Sequence, residues 1–204
     1  MPMNAMKRYR TVWCTYTLVS LGALTAIYLI LSRFLAINIG GFGRIQLGVI
    51  ARIMAGIWFG PFAGALCGLA SDLLGCLIQG YAVNPLITFA AILWGVIPAL
   101  FVPQRSDTMA GAQPSVSKKG AVMKLCAGTV IACIVCTLFV TTAALVWFNG
   151  YSFYAILPTR LIQVLLQTPV YCVLVCLLYF SPITAQVNQS LQVHAGKRKA
   201  EPHG

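Results

Sequence analysis

The first apolar run of this chain extends from Val12 to Ile37 with Arg33 as its single charge, and further apolar runs follow as far as Phe180. Runs of that kind leave few folds open. A helix satisfies its own backbone polar groups, and about 20 residues of it cross the hydrocarbon of a bilayer. Only 8% of the residues are charged and 59% are hydrophobic, whereas soluble domains carry about 25% charged residues. The alternating segments of an outer-membrane barrel are missing as well. The chain therefore reads as an all-α membrane protein. Its first run is too long for the ~7–15-residue core of a signal peptide and lacks a small-residue cleavage site, so it is expected to be retained as a helix.

Six transmembrane helices are expected, at about 10–36, 45–59, 61–78, 85–102, 121–148 and 158–180. A net charge of +11 would suit nucleic acid if it were spread over a polar face. Instead the cations gather at Lys7, Arg8 and Arg10, at Arg105, Lys118, Lys119 and Lys124, and at Lys197, Arg198 and Lys199. These positions flank apolar runs, as in cytoplasmic loops. An even number of spans puts both termini on that same side, together with the polar loop 103–119. Residues 1–182 then form a six-helix bundle, and the polar, basic stretch 183–204 is expected to be a disordered cytoplasmic tail.

The most informative stretch is Arg44–Cys76, two apolar runs broken at Phe59-Gly60-Pro61. Gly60, Gly64, Gly68 and Asp72 recur at i, i+4, and Ala63, Cys67, Ser71 and Gly75 form a second row beside them. Such rows let another helix approach closely. Arg52 and Asp72 are charges inside apolar sequence, which in a membrane is costly and usually functional. This hairpin is expected to be the inner wall of a membrane-embedded pocket. On the last helix Arg160, Gln163 and Gln167 share one face, continued by Tyr171. Rise per residue puts Arg160 within about a turn of Asp72 in depth, so the two either pair with each other or face the pocket from two sides. Trp94 lies mid-way along the fourth helix, Asn84 is placed to cap it, and Arg44 stands at an outer connection.

Enzymatic chemistry has no foothold here. The chain lacks a G-x-S-x-G elbow, an HExxH pair and a GxxxxGK[ST] loop, and it has only three acidic residues. Its eight cysteines all lie in apolar spans and read as small apolar side chains, Cys133-Ile-Val-Cys136 included. Both histidines, His194 and His203, fall in the tail, so neither a metal site nor a cofactor is expected. On the first helix Gly22, Ala23 and Ala26 make a small-residue patch, fit for packing within the bundle or for docking a separate membrane subunit.

The run GIWFGPFAGALCGLASDLLG, preceded by Ser32-Arg33-Phe34-Leu35 and followed by Tyr81, Pro85, Thr88 and Leu157-Pro158-Thr159-Arg160, resembles the substrate-binding S components of energy-coupling factor (ECF) vitamin transporters. The likeness is strongest to the folate-type S components and covers about residues 31–171. It implies vitamin capture from outside the cell, with uptake driven by a transmembrane T subunit and two ATPases. It implies that Arg160 holds substrate while Asn84, Thr88 and the outer loops close above it, and that Gly22 and Ala26 stand nearest to the T-docking motif.

The chain departs from the folate pattern at Ala51-Arg52 and at Leu86-Ile87. Folate, whose carboxylates suit Arg33, Arg44 and Arg160, is therefore one reading, and another small vitamin such as pantothenate is the other. The expected substrate-binding set is Arg160, Gln163, Gln167, Asn84, Thr88, Asp72, Arg44 and Trp94. Two further alternatives remain open, a stand-alone membrane facilitator and a scaffold subunit without ligand. The expected location is a prokaryotic cell membrane.

Overall fold

A computed structural model describes residues 15–38, 44–80, 82–102, 118–150 and 152–200. The described part is helical except for one small hairpin. Helix α1 covers Thr15–Phe34, strands β1 and β2 cover Ala36–Asn38 and Arg44–Gln46, and α2 covers Val49–Phe59. Helices α3 (Pro61–Gln79) and α4 (Pro85–Phe101) follow. Helix α5 is continuous from Lys118–Cys133 through a π-helical stretch, Ile134–Thr141, to Thr142–Asn149. The described part closes with α6 (Phe153–Phe180) and α7 (Pro182–Ala200). Helices α1, α3, α5 and α6 are long and apolar enough to cross a membrane, whereas α2 and α4 are shorter apolar helices. Residues 1–14 and most of the expected polar loop, 103–117, lie outside the described residues.

Three expected boundaries are corrected. The second helix begins at Val49 rather than at 45, because Arg44–Gln46 pairs antiparallel with Ala36–Asn38, with Ile37 opposite Ile45. Backbone groups satisfied in that ladder have no need of a helical turn. At ~1.5 Å per residue α2 is only about 16 Å long, and the hairpin leads directly into it.

The sixth helix begins at Phe153 rather than at Pro158, since Ser152 O already accepts from the amides of Ala155 and Ile156 at 3.1 and 3.2 Å. Pro158 costs this helix one backbone bond, a loss that membrane helices tolerate.

The third correction concerns the tail, which forms α7 instead of disorder. It lacks the apolar content for a core of its own and uses the bundle's surface. Trp58 Nε1 donates to Thr184 Oγ1 at 3.1 Å, and Thr184 Oγ1 donates to Leu178 O at 2.7 Å. Val187 and Leu191 pack against the buried cluster of Leu21, Ala55, Phe59, Ala63 and Cys67.

The small-residue rows hold the centre together. Ala63, Gly64, Cys67, Gly68 and Ser71 are all buried on α3. A Cβ on Gly64 would stand 2.5 Å from Gly95 O on α4, and one on Gly68 would run into Ala91 O. The α3 and α4 backbones therefore touch, and only glycine fits at the crossing. Gly60 connects α2 and α3 with φ 106°, a conformation that disfavours any side chain. Pro61 then opens α3 where its missing N–H costs nothing. With α2–α4 locked in this way, the larger apolar cluster of Ile53, Met54, Trp94, Leu125, Cys136 and Tyr171 ties them to α5 and α6.

Candidate functional site

A cavity of about 630 Å³ lies among α1, β2, α2, α3, α4, the π-helical stretch of α5, and α6. Its lining includes Arg33 near the end of α1, Gln46 before α2, Gln79 at the end of α3 and Arg160 early in α6. The cavity thus sits toward the end of the bundle that carries the β1–β2 hairpin. A second hollow of about 430 Å³, lined by Leu138, Phe139, Val146, Trp147, Phe153 and Leu157 with Ala143 and Thr142, offers almost nothing polar.

One wall is the polar face of α6. Arg160, Gln163, Gln167 and Tyr171 stand three to four residues apart, so all four turn to the same side. Gln163, Gln167 and Tyr171 are buried and Arg160 is half-buried. Buried amides need partners, and here they form a relay. Arg160 Nη1 donates to Gln163 Oε1 at 2.5 Å, Gln163 Nε2 to Gln167 Oε1 at 3.5 Å, and Gln167 Nε2 to Thr137 Oγ1 at 2.8 Å. Tyr171 OH donates to Gln46 O at 2.9 Å, which ties α6 to β2. The Trp94 ring meets the Tyr171 ring edge-on, with centroids 5.6 Å apart.

The π-helical stretch turns Thr137 and Thr141 toward the same cavity. Thr141 Oγ1 donates to Cys136 O at 2.7 Å and Thr142 Oγ1 to Thr137 O at 3.2 Å. Both bonds reach back five residues, as the widened turn requires. Such insertions within helices are frequent at functional sites.

The opposite wall carries charge. Arg52 on α2 is 5% exposed. Its Nε donates to Ser71 Oγ at 2.7 Å, and Ser71 Oγ donates in turn to Gly68 O at 3.0 Å. The guanidinium carbon lies 3.8 Å from the centroid of the Tyr28 ring, a cation–π contact. Arg52 Nη2 and Arg160 Nε are both buried without a hydrogen-bond partner among the described residues. Asp72 is half-buried, and its Oδ2 accepts from Thr88 Oγ1 at 2.7 Å. Among the described residues no ion pair joins Asp72 to Arg160. Arg160 bonds Gln163 instead, so of the two arrangements left open by the sequence the structure has both groups on the cavity wall.

Of the expected substrate-binding residues, Arg160, Gln163, Gln167, Asp72 and Trp94 line the cavity together. Thr88 stands behind the lining and holds Asp72. Asn84 caps α4, its Oδ1 accepting from the Leu86 amide at 3.1 Å. The backbone of Arg44 is paired in β2, but its side chain lies outside the described residues, as does Tyr81.

Sequence reasoning left Arg52 without a role, placed Ser71 in the wall hairpin only as a small residue, and overlooked Tyr28, Gln46 and Thr137 as wall residues. A signal for Tyr28 was present, since Thr25, Tyr28 and Ser32 recur at helical spacing on α1. Gly22, Ala23 and Ala26 are exposed, and a Cβ on Gly22 would meet nothing within 4 Å. The patch therefore does not pack inside this bundle among the described residues.

A polar, cation-rich cavity inside an apolar helix bundle fits solute capture, and a family profile agrees. The profile described as "ECF transporter, substrate-specific component" matches residues 16–179. The chain belongs to this family. Members of this family are transport subunits rather than enzymes, in keeping with helices fit for a membrane.

Solved S-component structures share the fold. The crystal structure of FolT bound with folic acid is 21% identical, with a TM-score of 0.63 over 81% of this chain and 94% of that one. ThiT from Listeria monocytogenes is 22% identical, with a TM-score of 0.63 over 83% of this chain and 96% of that one. The S component of a bacterial ECF transporter is 22% identical, with a TM-score of 0.52 over 78% and 92%. No curated protein matches the chain significantly. FolT and ThiT resemble it equally well, so the fold alone does not select a substrate.

Proposed function

We propose that this chain is the substrate-capture subunit of an ATP-driven ECF-type vitamin importer and that it takes up folate or a related vitamin from outside the cell. The observation that supports this most is the cavity of about 630 Å³ with the α6 relay on one side and Arg52 and Asp72 on the other. Its volume falls within the ~300–1,000 Å³ typical of small-molecule sites. In this reading Arg160, Gln163 and Gln167 bind the solute, Asp72 and Trp94 complete the walls, Asn84 and Thr88 fix the start of α4 beneath the closing loops, and Arg44 contributes from β2. In the same reading the six expected spans would put both termini and the 103–119 loop in the cytoplasm of a prokaryotic cell, with the hairpin end of the bundle outward.

Gly22, Ala23 and Ala26 would dock the transmembrane T subunit, and two partner ATPases would supply the energy, since the chain carries no phosphate-binding loop of its own. Their exposure on α1 supports that role. The test is thermal stabilisation of the purified chain by a pooled vitamin panel without ATP, followed by uptake into liposomes. A capture subunit is stabilised by one vitamin and transports it only with its partners present. Uptake by the chain alone would make it a facilitator, and no stabilisation by any vitamin would contradict the proposal.

A further inference from the structure

Arg52 is an anomaly that capture of a small solute does not by itself explain. It sits in the middle of α2, is almost wholly buried, and cannot lose its charge. A buried cation ordinarily faces a carboxylate, because an uncompensated charge away from water is strongly unfavourable. Among the described residues none is paired with it. Ser71 uses Nε, the Tyr28 ring covers one face, and Nη2 has no partner. Among the described residues the one carboxylate on the cavity wall, Asp72, is already held by Thr88. Arg33, Arg52 and Arg160 thus face a single acid across the space, and the wall has more positive than negative charge.

We propose that Arg52 is a specificity-determining residue: with its Nη edge it receives a carboxylate of the captured solute, so that the site selects anionic over neutral ligands. This rests on the capture reading above and narrows it to a class. The geometry supports it in three ways. The Ser71 bond and the Tyr28 ring fix the guanidinium plane, so the fork is oriented before ligand arrives. Arg52 contributes directly to the cavity wall. A planar carboxylate accepts two parallel N–H bonds, which is the match that a guanidinium offers and an ammonium does not.

The experiment measures dissociation constants of the purified chain for acid and neutral partners: folate and its diamide, pantothenate and panthenol, biotin and biotinamide. The readout is the ratio of neutral to acid dissociation constants within the pair that binds. The wild type is expected to prefer the acid by about tenfold or more, the range of a charge-assisted bond. In Arg52→Gln the ratio falls toward one, and in Arg52→Lys, which keeps the charge without the fork, it lies between. Equal binding of acid and neutral partners by the wild type overturns the assignment while leaving solute capture standing. A preference that survives Arg52→Gln also overturns it, because the selectivity then comes from other cations. If Arg52→Gln does not fold, Ser71→Ala decides: a ratio lowered several-fold supports the assignment, and an unchanged ratio refutes it. If none of these pairs binds while another vitamin of the pooled panel does, the assignment to Arg52 is overturned and solute capture stands. If nothing in the panel binds, the capture reading itself fails and the role of Arg52 falls with it.

Discussion

Gln167 on α6 donates to Thr137 on α5 at 2.8 Å, and Thr137 belongs to the π-helical stretch Ile134–Thr141. This bond ends the relay that starts at Arg160, so the cavity-facing edge of α6 is positioned by the one irregular segment of α5. Irregular helical geometry and the polar wall are in this sense one feature. The widened turn brings a hydroxyl to the place where a buried glutamine needs an acceptor.

Thr137→Val keeps the shape of that residue and removes the acceptor. Gln167 Nε2 is then left unpaired in the bundle, at a cost of about 1–2 kcal/mol. The expected result is a melting temperature lower by a few degrees in detergent and a several-fold loss of ligand affinity. Unfolding curves and titrations on the same preparations check both.

The glycine crossing and the α1 patch are predicted to respond in opposite ways. Gly64→Leu drives a large side chain into Gly95 O and separates α3 from α4, so little folded protein should be recovered. Gly22→Leu meets open space and should leave the melting temperature within about a degree, since surface changes of this kind are worth no more than ~0.5 kcal/mol. If the patch docks a partner subunit, the same Gly22 variant loses co-purification with that partner. Size-exclusion profiles and pull-downs separate the two effects.

Thr88 holds Asp72 through a 2.7 Å bond. Thr88→Val removes the donor and leaves a half-buried carboxylate free to swing toward Arg160. The cavity's cationic anchor would then be occupied from within, and ligand affinity should drop by about tenfold, as for the loss of one charge-assisted hydrogen bond. Thr88→Ser, which retains the hydroxyl, should restore most of it. Isothermal titration of the two variants gives the comparison.

Much of the fold was legible from hydropathy. The two small-residue rows supply the buried residues of α3, Ala63, Gly64, Cys67, Gly68 and Ser71, while Asp72 and Gly75 at their ends are half-buried. Phe59-Gly60-Pro61 is the break between α2 and α3. The inward stripe of α6 was legible too, because polar residues at helical spacing in an apolar helix have few places to point. The β1–β2 hairpin was not, since three-residue strands leave no periodic pattern. Nor was the π-helical stretch, whose sequence is as apolar as any helix and whose signature lies in hydroxyl bonds to the carbonyl five residues back. Arg52 stood out as a charge in the wrong place, but its neighbours Tyr28 and Ser71 come from two other helices and only the packing unites them.

The tail failed to read as a helix for a related reason. Its stability comes from Trp58, Thr184, Val187 and Leu191 meeting across elements, which composition within the segment does not reveal. Thr184→Val removes the acceptor for Trp58 Nε1 and the donor to Leu178 O. It should loosen α7, raising protease sensitivity after residue 181 while ligand binding at the distant cavity is retained. Limited proteolysis followed by mass analysis of the fragments tests this.

The central claim is that the guanidinium of Arg160, with the glutamines beside it, faces a space that holds a vitamin without help from any partner. Native mass spectrometry of the chain, purified alone after exposure to a vitamin pool, tests it most directly. The account predicts one added vitamin mass per chain in the wild type and its loss in a folded Arg160→Ala variant. A wild-type chain that carries no added mass under the same conditions, or an Arg160→Ala variant that retains it undiminished, would contradict the claim.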